Sequence, residues 1–69
     1  MTNSQRIKMA LTYKNKSAAW LATQIGTTSQ ALSQRLKTDK FSTTELEKIA
    51  AVLEAEYKSA FVFSDGTEI

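Results

Sequence analysis

Apolar residues recur along most of this chain at intervals of three and four, and beyond residue 56 they recur at intervals of two. The first spacing gathers side chains on one face of an α-helix, and the second gathers them on one face of a strand. Ile7, Ala10 and Leu11 define the inner face of a first helix, and Thr2 with Gln5 three residues later is the capping-box pattern that opens it. Lys14, Asn15 and Lys16 interrupt the apolar pattern and read as a short connection. Ser17 then caps a second helix whose inward stripe is Ala18, Leu21, Ala22 and Ile25.

Gly26 closes that helix at the position where a left-handed conformation costs least. Thr28 caps a third helix, which carries the i, i+4 pair Leu32 and Leu36 and ends near Lys37 to Asp39. Phe41 reads as a lid on the core. Ser42 with Glu45 is a second capping box, opening a fourth helix with the stripe Leu46, Ile49, Ala50 and Leu53. From Tyr57 to Ser64 the pattern alternates: Tyr57, Ser59, Phe61 and Phe63 against Lys58, Ala60, Val62 and Ser64. Its aromatic content favours a strand, and Asp65-Gly66 is a hairpin turn signal with Thr67 to Ile69 as a short return. The expectation is a mostly α chain of one domain, with four helices in residues 1–56 and a C-terminal β-hairpin in residues 57–69.

Composition removes several functions. There is no Cys and no His. Disulfides, zinc fingers, thiol nucleophiles and imidazole bases are therefore excluded, and neither a cofactor nor a metal is expected. Paired carboxylates such as Glu45/Glu47 and Glu54/Glu56 sit on helical faces without a recognisable pocket, so no enzyme is expected. No apolar run approaches the ~20 residues that span a bilayer, so no membrane partner is expected. Arg6 and Lys8 in a polar opening stretch, with no apolar core behind them, point to the cytosol. So short a chain, without disulfide or metal, is expected to be marginal as a monomer or to rely on a partner subunit.

Formal net charge is only +2, but its distribution is uneven. Up to Lys40, seven cations face Asp39 alone; after it, Lys48 and Lys58 face six carboxylates. A basic part beside an acidic part fits one face for a polyanion and another for a different partner, although ordinary solvated helix surfaces give the same count.

The sharpest pattern lies between Ser17 and Leu36. A helix carrying Leu21-Ala22 closes at Ile25-Gly26, and a short turn leads into a capped helix with Leu32 inside. Two helices crossing steeply need a small residue such as Ala22 at the contact, and the turn needs Gly26. This is helix-turn-helix spacing, whose second helix can enter the major groove.

The stretch Leu21-Ala22-x-x-Ile25-Gly26-Thr27-Thr28-x-x-x-Leu32 resembles the Cro and lambda-repressor type of DNA-binding domain, especially small phage and mobile-element repressors. The resemblance covers residues 2 to 54, and residues 41 to 53 are similar to the family's fourth helix. The chain departs from the pattern at Lys16, usually apolar, at Ala18, usually a phosphate-contacting Gln, and at Arg35, usually apolar. The predicted hairpin stands in place of a fifth helix.

The resemblance implies base reading by Ser29, Gln30 and Gln34, with Ser33 and Arg35 as neighbours. The chemistry suits them, since Gln can pair with adenine and Arg with guanine. It also implies backbone contacts at helix N-termini, from Ser17, Thr28, Thr43 and Thr44, with Lys16, Lys37 and Lys40 adding charge. Polar residues on an exposed helix face, or hydroxyls that only cap, would look the same in sequence. Trp20 has polar neighbours at Ser17, Thr23 and Gln24, so its ring either rests on the first helix or turn, or meets DNA or a protein.

The function these features imply is a homodimeric, sequence-specific repressor on double-stranded DNA, reading an inverted repeat. Tyr57, Ser59, Phe61, Val62 and Phe63 are the candidate dimer strand, because a lone hairpin is rarely stable in water. The rival reading is a protein-interaction module, such as an antitoxin, with the acidic C-terminal part docked on a toxin. An antirepressor protein is a further possible partner.

Overall fold

The computed structural model describes residues 1–58 and 60–69. Four helices, α1 (Asn3–Tyr13), α2 (Ala18–Gln24), α3 (Ser29–Thr38) and α4 (Thr43–Val52), precede two short strands, β1 (Ala55–Tyr57) and β2 (Phe61–Phe63). Each helix begins where a hydroxyl residue can take a free backbone N–H. Thr2 and Ser42 form full capping boxes with Gln5 and Glu45, while Ser17 and Thr28 accept from the amides of Trp20 and Ala31. Helix ends use the left-handed region: Asn15 after α1, Gly26 after α2, Asp39 after α3 and Glu54 after α4 all have positive φ.

The core joins all of these elements. Ile7, Ala10, Leu11, Leu21, Ala22, Leu32, Leu46, Ile49, Ala50, Leu53, Phe61 and Phe63 are buried together, and the apolar stripes expected of α1 and α4 are all inside. Ala18 is not. It lies exposed in the first turn of α2, ahead of the point where Leu21 and Ala22 reach the core, so the inward stripe starts at Leu21. Accessible surface totals 4392 Å², close to the roughly 4,300 Å² expected for a folded monomer of this mass. The chain thus reaches monomer-like burial by itself.

The C-terminal segment differs most from the expected layout. Where one strand is anticipated over Tyr57–Ser64, the chain forms two, β1 beginning earlier, at Ala55, and β2 covering Phe61–Phe63. Tyr57 therefore lies opposite Phe61, and Ala55 opposite Phe63, in an antiparallel pair. With the segment folded in two, Phe61 and Phe63 both enter the buried cluster that also holds Leu53. The Asp65-Gly66 turn forms as expected: Gly66 has φ +90°, and Phe61 and Ile69 exchange backbone hydrogen bonds of 2.8 and 2.9 Å. Residues 67–69 thus line the second edge of β2, with Val62 bridged to Glu68.

Candidate nucleic-acid interface

The joint between α2 and α3 is built by backbone hydrogen bonds. After Ile25, Thr27 N–H donates to Ala22 O at 2.9 Å and Gly26 N–H donates to Thr23 O at 3.3 Å. This is the Schellman closure, and it places Gly26 at φ +76°. A Cβ at Gly26 would meet nothing within 4 Å, so the glycine is required by backbone conformation and not by crowding. Two residues later Thr28 Oγ1 accepts from Ala31 N at 3.1 Å and starts α3. Ala22 is 2 % exposed and Leu32 1 %, locking the two helices together across the turn.

Burial of Leu32 fixes which side of α3 faces outward. At about 100° per residue, Ser29, Gln30, Ser33, Gln34 and Lys37 share an arc of about 140°, and all five are exposed. Among the described residues, the side chains of Ser29, Gln30, Ser33 and Gln34 form no hydrogen bond within the chain, so both Gln amides keep their donors and acceptors unengaged. Arg35 does not belong to this group. It lies about 100° beyond Gln34 around the helix, and its guanidinium pairs with Glu45 on α4. Glu45 also accepts from Ser42 N at 3.1 Å, so one carboxylate caps α4 and ties α3 to it. Arg35, itself exposed, thus stands off the arc that carries Ser29, Gln30, Ser33 and Gln34.

The charged and hydroxyl positions are distributed around this stripe. Lys37 lies on it, Lys40 is exposed just beyond α3, and Thr43 and Thr44 are exposed in the first turn of α4. Ser17 and Thr28 are engaged as caps through oxygen acceptance, which leaves each hydroxyl proton for an outside acceptor. Lys16 sits over the half-buried Trp20 ring, 5.1 Å from its centroid, a cation–π contact that places this cation beside the start of α2. Lys14 is turned the other way, to Glu54 at 3.6 Å.

One buried polar contact positions the third helix and was not anticipated. Ser4 is 6 % exposed; its backbone N–H donates to Asp39 Oδ1 at 2.7 Å. Its hydroxyl lies 2.7 Å from Leu36 O and 3.0 Å from Asp39 Oδ1. A carboxylate at the N-terminus of α1 is favoured by the free N–H groups there, and here that carboxylate is the left-handed cap of α3. The signal in sequence was Ser4 itself, a polar residue on the stripe Ser4, Ile7, Leu11.

Of the expected dimer strand, Phe61 is 0 % and Phe63 5 % exposed, so both rings lie in the chain's own core. Tyr57 and Val62 are half-buried, and Ser59 lies outside the described residues. Tyr57 packs edge-on to Phe61 at 5.5 Å, and Tyr13 tilts over Phe63 at 4.6 Å. The Tyr13 hydroxyl donates to Asp65, and with Thr67 N–H it holds that carboxyl down at about 2 from an ordinary 3.8. The sheet's outward row is Glu56, Val62 and Glu68.

A cleft of about 360 Å³ opens between the turn, α3 and α4, with Ile25, Leu32, Phe41 and Ile49 as its floor and Arg35, Glu45 and Lys48 at its rim. Among the described residues there is no group of three or more His, Cys, Asp or Glu placed to hold a metal, and no helix is long and apolar enough to cross a membrane. No protein-family model, curated protein or solved structure matches the chain.

Proposed function

We propose that this protein is a sequence-specific regulator of transcription that binds double-stranded DNA, a homodimeric repressor of the Cro and lambda-repressor type acting on an inverted-repeat operator. The observation that carries the reading is the exposed stripe of α3, whose Gln30 and Gln34 amides are unengaged on a helix anchored by Leu32, Thr28 and Gly26. In a major groove, each amide can make the paired donor–acceptor contact that distinguishes adenine. Ser29 and Ser33 lie beside them. Lys37, Lys40, Thr43 and Thr44, with Lys16, Ser17 and Thr28 at the earlier helix starts, bind phosphates and set the register. Occupying a promoter in the cytosol suffices for repression.

Selection of bound sequences from a random duplex pool tests this reading. A palindromic consensus supports it; recovery of no preferred sequence, at any salt concentration that still allows binding, contradicts it. A second reading has its own observation. The outward row Glu56, Val62 and Glu68 carries two carboxylates, Glu56 paired with Lys58 at 3.3 Å and Glu68 beyond it, which suits docking on a basic protein such as a toxin. Stoichiometric co-purification of a basic partner that covers this row would favour that reading.

A further inference from the structure

The Arg35–Glu45 ion pair joins two helices that have different tasks in the proposed DNA complex. Arg35 leaves the last turn of α3 about 100° beyond Gln34, at the margin of the outward arc, and Glu45 stands in the first turn of α4, one residue after Thr44. Both groups reach solvent, their side chains being 49 % and 31 % exposed. Glu45 is also fixed from behind. It accepts from Ser42 N–H at 3.1 Å while its own N–H donates to Ser42 Oγ at 3.2 Å. The capping box thus holds the carboxylate in place, and the guanidinium comes to it.

We propose that Glu45 is a competitor for DNA built into the fold. It occupies the Arg35 guanidinium that a backbone phosphate would otherwise take, and so lowers affinity for duplex of every sequence while leaving base preference alone. This rests on the DNA-binding function proposed above, which sets the direction that α3 faces. A helix with its side chains is about 10–12 Å across and the major groove about 12 Å wide. Side chains that flank the base-facing arc therefore meet the phosphates of the groove walls. Arg35 flanks that arc on the side of α4, where Thr43 and Thr44 also face phosphate in the proposed complex.

The chemistry makes the two acceptors exclusive. The planar fork of an arginine takes a carboxylate or a phosphate with the same pair of parallel N–H donors, so it serves one at a time. Like charge opposes the exchange, because a guanidinium that left Glu45 for DNA would strand a carboxylate beside a phosphate. Of the seven cations up to Lys40, Arg35 is thus withheld from the duplex. Sequence-independent binding grows with the number of phosphates neutralised, so withholding one cation keeps the chain off random DNA and leaves discrimination to Gln30 and Gln34.

Glu45→Gln separates the charge from the cap. Glutamine completes a capping box as glutamate does, and Gln5 does so at the start of α1. The start of α4 should therefore persist, with a melting temperature lower by only a few degrees. Glu47→Gln is the control for net charge. Glu47 is exposed on the same helix and, among the described residues, forms no ion pair.

The test measures affinity for random duplex between roughly 50 and 200 mM salt. Glu45→Gln should bind more tightly than wild type, with a log–log salt slope steeper by about 0.9, the value of one added phosphate contact. Its advantage should then narrow about 3.5-fold across that range. Glu47→Gln should keep the wild-type slope. Arg35→Ala should remove the added slope from the Glu45→Gln chain and leave the slope of the wild-type chain unchanged. On a palindrome selected by the wild type and its single-base variants, Glu45→Gln should keep the same base preferences.

Equal slopes for wild type and Glu45→Gln overturn the proposal, as does an equal gain from Glu47→Gln. So does a wild-type slope that Arg35→Ala lowers by a full unit, which would put Arg35 on phosphate already, or a new base preference in Glu45→Gln. Failure of the wild type to prefer any sequence overturns sequence-specific regulation, while the slopes on random duplex still decide the role of Glu45. Absence of duplex binding by every one of these chains at about 50 mM salt overturns both.

Discussion

The α2–α3 joint and the C-terminal sheet are of similar length, and opposite kinds of information shape them. The joint is local. Ser17, Gly26 and Thr28 each act within three to five residues of themselves, through caps and a Schellman closure. The sheet is non-local. Phe61 and Phe63 join a core cluster that also holds Leu53, and Tyr13, fifty residues earlier, tilts over Phe63. Local chemistry therefore shapes the joint that starts α3, while distant contacts, from the aromatic core to the Ser4–Asp39 hydrogen bond, hold the rest.

If that contrast holds, the largest loss comes from the sheet. Phe61→Ala removes a fully buried ring and should cost about 3–5 kcal/mol, enough to unfold much of the population at ambient temperature; urea melts followed by Trp20 fluorescence would measure it. A cost under about 1 kcal/mol would mean that the sheet is an appendage. Asp39→Ala comes next. It leaves the buried Ser4 amide and hydroxyl with fewer partners and should cost about 2–3 kcal/mol, as loss of a charged acceptor does. Asp39→Asn should recover part of that cost, because Oδ1 can still accept.

Gly26→Val should cost less, about 1–2 kcal/mol, since an added Cβ meets no neighbour and the left-handed backbone carries the strain. A change comparable to Phe61→Ala would show that the turn is crowded after all. The smallest effect is that of acid. Asp65 is held near 2, below its ordinary 3.8, so its folded form favours the carboxylate. Its contribution is complete above about pH 4 and disappears as pH falls toward 2. Tyr13→Phe should shrink this acid-sensitive part of the stability–pH curve while leaving the neutral-pH slope alone.

The same contrast decides what could be read from sequence. Both capping boxes, the turn glycine, the start of every helix and the exposed stripe of α3 follow from residues within one turn of each other, and they were legible. Ala18 was misplaced because periodicity cannot tell where along a short helix the core begins. Arg35 follows Gln34 in sequence, yet helical geometry sets the two about 100° apart, and its ion pair with Glu45, ten residues away, is invisible to the sequence pattern. The Ser4–Asp39 contact spans 35 residues, and neither residue reveals its partner. Alternation from Tyr57 to Phe63 marked strand character correctly but could not reveal the reversal, because residues facing each other across a turn share the parity of residues along one strand.

The central claim is that the α3 stripe reads bases while its surroundings only hold it in place. Binding of Gln30→Ala and Gln34→Ala to the selected palindrome, to single-base variants of it and to random duplex tests that claim most directly. Each substitution should leave the melt within about 0.5 kcal/mol of wild type and relax preference at one base position by about 1–3 kcal/mol. Lys40→Ala should instead weaken every duplex alike and lower the salt dependence by about one unit. Equal losses on specific and random DNA for both Gln variants would contradict the account.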